Sequence, residues 1–272
     1  MIRVSNENEV YHHNNISYVS SPVVSKSDTK ELHFWSTDPL ESPSGDLFTN
    51  IVRKSHFIRV FEQLLPSLGL TGEERVLEIG GGHCWASALI KRNYPGCYVV
   101  ASDLSPEAVQ FVENYEGLLG TKVDEKWAFN CRRIPFDDEQ FDMVFTFAAF
   151  HHFGEERDFS EALREMVRIL RPGGKLILLY EPSSPRWTYK LAFERANRKR
   201  ASFSHEIDEN VLVLADIKRI CKKLGCKFQA QYFTSYEHRE GIVETVYYYS
   251  LTRMKPLQRL LPCTVNVTIQ KI

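Results

Sequence analysis

Beyond about residue 71, short apolar runs alternate with segments in which apolar residues recur at helical spacing. The runs that have the length of buried strands are 75–79, 97–102, 141–147 and 175–180. Helices are predicted after the first two runs, the second of them capped by Ser105 with Pro106 in its first turn, and over 158–170. Strands that alternate with helices form parallel sheets with helices on both faces. We therefore predict an α/β fold with a doubly wound, mostly parallel sheet.

The carboxyl-terminal part of the chain breaks this alternation. A helix is predicted over 211–225, and two strands over 227–234 and 264–271. We expect the last strand to return antiparallel to its neighbours. The segment near 240–262, rich in aromatic residues and arginine, is predicted to be an insertion, so that one domain extends over 71–272.

The amino-terminal 70 residues carry a different pattern. The first thirty show no sustained period and are predicted to form a flexible or loosely docked arm. From Glu31 to about Leu70, apolar residues recur at helical spacing and predict two helices, with Ser42, Ser44 and Asp46 as candidate N-caps. We predict that residues 1–70 form an arm and a helical cap over the domain.

Composition narrows the class of protein. The chain has 272 residues, 43% of them hydrophobic, a net charge of −1, and no apolar run long enough for a transmembrane helix. The first residues contain no apolar segment of the secretory type. Six scattered cysteines form no paired or histidine-associated cluster, so no metal site is predicted, and they are expected to be free thiols in a reducing cytoplasm.

A glycine-rich turn follows the first predicted strand and carries the strongest chemical signal. Gly80–Gly82 would let a ligand approach the backbone at the start of a helix. Nicotinamide-binding proteins use the same device, but they usually have an apolar residue where this chain has Glu78, whose carboxylate would repel a pyrophosphate. Asp103, at the end of the next strand, is placed to bind two ribose hydroxyls. This pair of carboxylates suits a ligand with an amino-acid end and a nucleoside end.

This turn is the first of five ordered motifs within residues 70–182. They are VLEIGGG (Val76–Gly82), ASDLS (Ala101–Ser105), IPF (Ile134–Phe136), FDMVFTFAAFHH (Phe141–His152) and LRPGG (Leu170–Gly174). In this order they resemble the motifs of class I S-adenosylmethionine-dependent methyltransferases, and in particular the small-molecule branch that includes ubiquinone and menaquinone methyltransferases. The resemblance implies a Rossmann-like fold, S-adenosyl-L-methionine as cofactor and S-adenosyl-L-homocysteine as product.

The resemblance also assigns residues to the parts of the cofactor. Those that would line its methionine part are Glu78, Gly80, Gly81 and Gly82; those that would meet its ribose and adenine are Asp103, Leu104, Asn130 and Cys131; and Phe147 would close its other side. Two positions depart from the family pattern, because Cys84 stands at the usual third glycine and Asn130 at the usual acidic residue before the IPF motif. These departures leave open an alternative, a non-catalytic sensor or scaffold that binds the cofactor or its product.

Methyl transfer to an oxygen or an acidic carbon requires a base as well as alignment of the two substrates. His151 and His152 follow the strand at 141–147, near the expected position of the methyl group, and an imidazole has a suitable pKa. Glu181, after the next strand, is the third candidate catalytic residue. The alternative is that these side chains have structural roles in the loop.

The acceptor is predicted to be a small or lipid-linked metabolite held by the segments outside the sheet. His33, Phe34, Trp35 and the helical region 43–57 could fold over the cofactor as a lid. An aromatic wall could be formed by Trp187, Tyr189, Phe193 and Tyr247–Tyr249, although aromatic runs are more often part of a core than of a pocket. The basic stretch Arg195–Arg200 is either a peripheral contact with an anionic membrane surface or a solvated helix face.

No nucleic-acid partner is expected, since the Asn/Asp-Pro-Pro-aromatic motif of amino-directed nucleic-acid methyltransferases is absent. The sequence gives no indication of the oligomeric state.

Overall fold

A computed structural model describes the chain at residues 2–4, 9–19, 25–38, 41–42, 45–154, 157–200, 209–237, 239 and 241–272. Its centre is a nine-stranded sheet with the order β1-β2-β5-β4-β3-β6-β7-β9-β8. The strands are β1 Val10–His13, β2 Ile16–Val19, β3 Arg75–Glu78, β4 Tyr98–Asp103, β5 Glu125–Ala128, β6 Phe141–Phe147, β7 Leu170–Ser183, β8 Cys226–Tyr232 and β9 Cys263–Lys271.

Nine α-helices lie in the described part of the chain. They are α1 Lys26–Thr37, α2 Leu47–Leu64, α3 Trp85–Asn93, α4 Pro106–Gln110, α5 Val112–Leu119, α6 Ser160–Arg168, α7 Tyr189–Arg200, α8 Leu214–Lys223 and α9 Ile242–Arg253. None of the helices in these described ranges combines the length and apolarity needed to cross a bilayer.

The parallel core of the sheet is β5, β4, β3, β6 and β7, and β9 lies antiparallel to both β7 and β8. The predicted doubly wound fold with an antiparallel last strand is therefore confirmed. The apolar residues of the central strands are fully buried because helices cover the sheet, as the continuous apolar runs require. The parallel strands β3, β4 and β6 end at the same edge of the sheet.

The amino-terminal arm is more ordered than its sequence predicts. Strands β1 and β2 form an antiparallel hairpin, and β2 pairs parallel with β5 at Ser17 and Tyr18. Part of the predicted arm therefore forms strands of the sheet, and the sheet extends across the predicted boundary at residue 70. Asn14 and Asn15 make the turn with φ of 48° and 63°, a conformation that asparagine tolerates better than most residues.

The cap contains two helices, but their positions differ from the prediction. The apolar positions that predicted two helices lie mainly in one continuous helix, α2, while α1 begins at Lys26, inside the segment predicted to be an arm. Ser25 and Asp28 form a capping box at α1, and Asp46 caps α2 through the backbone N–H of Thr49. Of the other predicted caps, Ser42 is buried in the preceding turn, and Ser44 lies outside the described residues.

Candidate functional site

A cavity of about 660 Å³ lies at the carboxyl ends of β3, β4 and β6, between the sheet and the helices α1 and α2. Open α/β sheets bind ligands at this edge, and the volume is in the range of small-molecule sites. The predicted cofactor residues that line the cavity are Gly80, Gly81, Gly82, Asp103, Leu104, Asn130, Cys131 and Phe147. One region of the fold thus brings together residues that are up to 67 positions apart.

The glycine-rich turn takes backbone conformations that explain its composition. Gly80 and Gly82 have φ of 68° and 54°, and a Cβ at Gly82 would come within 2.8 Å of the Trp35 ring. Cys84 also has a left-handed conformation, with φ of 51°, and its Sγ donates to the carbonyl oxygen of Gly82 at 3.4 Å. Cys84 therefore occupies the backbone conformation that a glycine would take, with its side chain turned into the loop.

Glu78 lies beneath this turn and does not line the cavity formed by the described residues. Its carboxylate accepts hydrogen bonds from the hydroxyl and the backbone N–H of Ser87, at 2.5 and 3.1 Å. Burial raises the pKa of Glu78 to about 7. The side chain links β3 to α3 and supports the turn, while its predicted contact with the methionine part of the cofactor stays a prediction.

Asp103 lines the cavity at the end of β4. Its two carboxylate oxygens accept from the backbone N–H groups of Gly82, at 2.7 Å, and Ser105, at 3.0 Å. Burial raises the pKa of Asp103 above its ordinary value. The carboxylate joins the glycine turn to the start of α4, while its assignment to the ribose stays a prediction.

Asn130 contacts the cap as well as the cavity. Its Nδ2 donates to Asp28 Oδ2 at 2.9 Å, and its Oδ1 accepts from the backbone N–H of Arg132 at 3.0 Å. Arg132 also pairs with Asp28 Oδ1 at 2.7 Å. The sequence did not indicate Asp28, because 102 residues separate it from Asn130. These contacts fasten α1 over the part of the cavity that Asn130 and Cys131 line.

The predicted lid is present in part. Phe34 and Trp35 line the cavity, whereas His33 is exposed on the outer side of α1. His83, next to the glycine turn, connects with α2 through Asn50 Oδ1 at 3.2 Å and with the carbonyl oxygen of Glu41 at 2.7 Å. The lid is therefore anchored to the same turn that it covers.

The aromatic wall is formed by residues other than the predicted ones. Phe147 and Tyr180 are stacked with their ring centroids 5.6 Å apart, and Phe57 of α2 meets both rings edge-on. Tyr180 reaches this position through a break in the register of β7 and β9, with φ of 57°. The residues considered for such a wall do not form it: Trp187 is 71% exposed, and Tyr189, Phe193 and Tyr247–Tyr249 do not line the cavity formed by the described residues, so the pocket interpretation of these runs does not hold.

His151 is held between two carboxylates. Its Nδ1 lies 2.8 Å from Glu181, and its Nε2 lies 2.8 Å from Glu209. Burial alone would lower the pKa of His151, but its hydrogen bonds to Glu181 and Glu209 outweigh burial and raise that pKa to about 10. His151 therefore carries a proton near neutral pH instead of accepting one.

Glu181 is fully buried behind the cavity wall and organises the loop that follows β6. It accepts from the backbone N–H groups of Ala149, Phe150 and His151 at 2.9 to 3.1 Å. These contacts make Glu181 a positioning residue for His151.

His152 lines the cavity, and its Nε2 lies 3.7 Å from the same Glu209 carboxylate. Sequence reasoning identified the two histidines but missed Glu209, which reaches them across 58 residues of chain.

Comparisons with known proteins agree with this geometry. Residues 77–178 match the family model described as a methyltransferase domain. The chain is 29% identical over 120 residues to the demethylmenaquinone methyltransferase of Thermus thermophilus, covering 44% of this chain and 53% of that protein. It is 31% identical over 157 residues to the phthiotriol/phenolphthiotriol dimycocerosates methyltransferase of Mycobacterium leprae, covering 57% and 55%. The matches span about half the length of these curated relatives.

The fold is also that of solved methyltransferases. The geranyl diphosphate C-methyltransferase of Streptomyces coelicolor, crystallised with Mg²⁺, geranyl diphosphate and S-adenosyl-L-homocysteine, superposes with a TM-score of 0.65 at 14% identity. The superposition covers 92% of this chain and 99% of that one. The motifs, the sheet order and the family match agree: residues 77–178 match a methyltransferase domain and resemble the class I, S-adenosylmethionine-dependent type.

Proposed function

We propose that this protein transfers a methyl group from S-adenosyl-L-methionine to a hydroxyl or an acidic carbon of a small or lipid-linked metabolite. The observation that carries the proposal is one cavity that is lined both by Gly80–Gly82 and Asp103 and by Phe57, Tyr180 and His152. We assign the part beside Gly80–Gly82 and Asp103 as the cofactor end and the part beside Phe57, Tyr180 and His152 as the acceptor end. A cofactor at the first end and an acceptor at the second would meet within the same enclosed space.

The residues at the first end fit the proposed cofactor. The positive φ of Gly80 and Gly82 lets the backbone approach a ligand closely, and Asp103 presents a buried carboxylate where ribose hydroxyls would bind. Phe129 and Leu104 offer apolar surface for an adenine ring. When bound, the cofactor supplies a sulfonium methyl group that is already strongly electrophilic, so the protein needs mainly to align the acceptor with it.

The residues at the second end suit an acceptor with an apolar or aromatic body. Phe57, Phe147 and Tyr180 present ring surfaces to the cavity, and Arg53 and Lys54 of α2 lie at its polar rim. The demethylmenaquinone and phthiotriol methyltransferases named above are relatives whose names specify quinone and lipid acceptors. Both observations support a metabolite with a hydroxyl on an apolar framework.

The loop after β6 would receive the proton that the acceptor loses. His151 is already protonated between Glu181 and Glu209, so we assign it to positioning and charge balance. His152 and Glu209 both line the cavity and lie 3.7 Å apart, and we propose this pair as the local proton acceptor. The candidate base is thereby narrowed from three residues to His152 with its carboxylate partner.

Helix α7 supports a second proposal, that the protein meets an anionic membrane surface to reach a lipid-linked acceptor. Trp187 and Leu191 are 71% and 68% exposed, beside Lys190 and Arg195. Basic and apolar side chains on one exposed segment favour binding to such surfaces. Trp187→Ala should reduce sedimentation with anionic vesicles, whereas Phe48→Ala, on the 75% exposed Phe48 of α2, should not; equal sedimentation of both variants and the wild type would remove the proposal.

The first test is calorimetric titration of the purified protein with S-adenosyl-L-methionine, S-adenosyl-L-homocysteine and NADH. We expect micromolar binding of the first two and none of the third. A panel of isoprenoid and phenolic acceptors then tests transfer from labelled cofactor. Cofactor binding without transfer to any member of the panel would favour the sensor or scaffold, and binding of neither adenosyl ligand would overturn the proposal.

A further inference from the structure

Three groups with the chemistry of metal ligands converge at the acceptor end of the cavity. His151, His152 and Glu209 each present one nitrogen or oxygen atom within 4.8 Å of the other two. The ligand atoms of a bound ion at about 2.1 Å lie about 3 to 3.5 Å from one another. A shift of about 1 Å in these side chains would therefore bring all three atoms into one coordination sphere.

The environment of His151 fixes which nitrogen is available. Glu181 is locked by three backbone N–H groups and lies 2.8 Å from His151 Nδ1. A carboxylate in this position holds the N–H on Nδ1 and directs the lone pair of Nε2 outward, as carboxylates do behind metal-bound histidines. Nε2 then points at Glu209, the carboxylate that it shares with His152.

The arrangement requires a positive charge between His151 and Glu209. A neutral imidazole has one N–H, which can satisfy only one of two carboxylates placed on its opposite nitrogens. The second contact, between Nε2 and Glu209 Oε2 at 2.8 Å, needs either a second proton or a cation. A divalent ion in place of that proton would be bound by His151 Nε2 and by the Glu209 carboxylate, and His152 would be its third ligand.

The surroundings of the other two groups are also organised. Asn197 of α7 clamps the backbone of Glu209, donating to its carbonyl oxygen at 3.1 Å and accepting from its N–H at 2.8 Å. Glu31 of α1 lies 3.7 Å from His152 Nδ1, so that a carboxylate stands behind each histidine. Because Glu31 belongs to the lid, an ion at this site would also connect the lid to the loop after β6.

We propose that His151, His152 and Glu209 bind one divalent transition-metal ion, with open coordination positions toward the cavity. Two imidazoles and one carboxylate suit Fe²⁺, Mn²⁺ or Zn²⁺ better than Mg²⁺ or Ca²⁺, which prefer oxygen ligands. The role of the ion rests on the proposed function: it would bind the acceptor oxygen, lower the pKa of that hydroxyl and hold it toward the methyl group. With the ion bound, His152 and Glu209 would be its ligands instead of the proton acceptor proposed for the metal-free protein, so the hydroxyl proton would pass to solvent. No oxidation or reduction is involved.

The test uses the full chain after treatment with a chelator and dialysis. Titration with Mn²⁺, followed by electron paramagnetic resonance, should show one site per chain, and Co²⁺ should give the visible absorption of a histidine-ligated ion. His152→Ala and Glu209→Gln should each weaken Mn²⁺ binding at least about tenfold. The matched control is His33→Ala, on the exposed face of α1, which should bind as the wild type does.

Two results would overturn the inference. One is the absence of saturable Mn²⁺, Zn²⁺ and Co²⁺ binding in the wild type, and the other is equal affinity in folded His152→Ala, Glu209→Gln and wild-type proteins. S-adenosyl-L-methionine binding is measured on the same metal-depleted sample. Cofactor binding without metal binding leaves the proposed function standing and removes the metal site. Metal binding without cofactor binding leaves the metal site standing and removes the proposed function.

Discussion

The side-chain amide of Asn130 donates to the carboxylate of Asp28 at 2.9 Å, joining the strand edge that would bind adenine to the helix that covers it. Asp28 also pairs with Arg132 at 2.7 Å and accepts from the backbone N–H of Ser25 at 2.7 Å. One buried carboxylate thus caps α1 and fastens it to the sheet. Asp28 thus places a carboxylate from α1 beside Asn130, the position at which the family usually has an acidic residue.

Asp28→Asn should loosen the lid, because it removes the charge that Arg132 contacts. We expect faster proteolysis within α1 and cofactor affinity weaker by about 1–2 kcal/mol, within the range for hydrogen bonds to charged groups. Limited proteolysis and calorimetry measure the two effects. Lys26→Ala, at an exposed position of the same helix, is the control, and identical behaviour of the two variants would contradict the role of Asp28.

Asp103→Ala should weaken S-adenosyl-L-methionine binding by about 1.5–3 kcal/mol, the contribution of hydrogen bonds to a charged group. Because Asp103 also accepts from Gly82 and Ser105, thermal unfolding must show that the variant is folded. Glu107→Gln, at the second residue of α4, should retain the wild-type affinity. Unchanged affinity in a folded Asp103→Ala protein would place the cofactor elsewhere.

Tyr180→Leu should impair binding of the acceptor and leave binding of the cofactor unchanged. The Tyr180 ring stacks on Phe147 and meets Phe57, so its loss removes apolar contact from the acceptor end of the cavity. We expect the acceptor KM to rise about tenfold, as for the loss of 1–2 kcal/mol of packing, at an unchanged cofactor Kd. Tyr249→Leu, at a 43% exposed tyrosine of α9, should leave both constants unchanged. A higher cofactor Kd in Tyr180→Leu would show that the aromatic wall contacts the cofactor instead of the acceptor.

Glu181→Gln should destabilise the fold. A glutamine cannot accept from three backbone N–H groups and from His151 without turning its own N–H₂ toward a donor. Breaking such a buried network costs about 3–5 kcal/mol in the free energy of unfolding. Urea denaturation measures the loss, and Glu161→Gln, at an exposed position of α6, should cost less than about 0.5 kcal/mol. Near-native stability of Glu181→Gln would show that the loop is organised otherwise.

Acid should weaken the contact between the lid and the glycine turn through His83. Burial lowers the pKa of His83 from 6.5 to about 4, with Lys54 lowering it further and Glu41 opposing. Because the unfolded chain then binds the proton more readily than the folded one, the stability that neutral His83 contributes above pH 6.5 is lost as the pH falls toward 4. The loss approaches about 1.4 kcal/mol per pH unit. In His83→Gln, the free energy of unfolding should change less with pH between 6.5 and 4 than it does in the wild type. The same slope in both proteins would refute the assignment of this pH dependence to His83.

The local sequence determined the elements and the cofactor end of the site. Apolar runs, a glycine turn and caps such as Ser105 act within a few residues, and parallel strands necessarily end at one edge of the sheet. The position of Asp103 beside Gly80–Gly82 followed from these rules and from the family resemblance. The hairpin β1–β2 was missed because its pairing with β5 depends on a partner more than 100 residues away.

The tertiary structure alone decided the acceptor end. Tyr180 enters the cavity because β7 breaks register against β9, and its neighbours in sequence give no sign of this. Glu209 meets His151 across 58 residues, and that contact, together with the one from Glu181, raises the pKa of this candidate base to about 10. Burial and charge pairing depend on where distant segments pack, so the sequence by itself determined which residues carry the chemistry, and only the fold decided which of them act together.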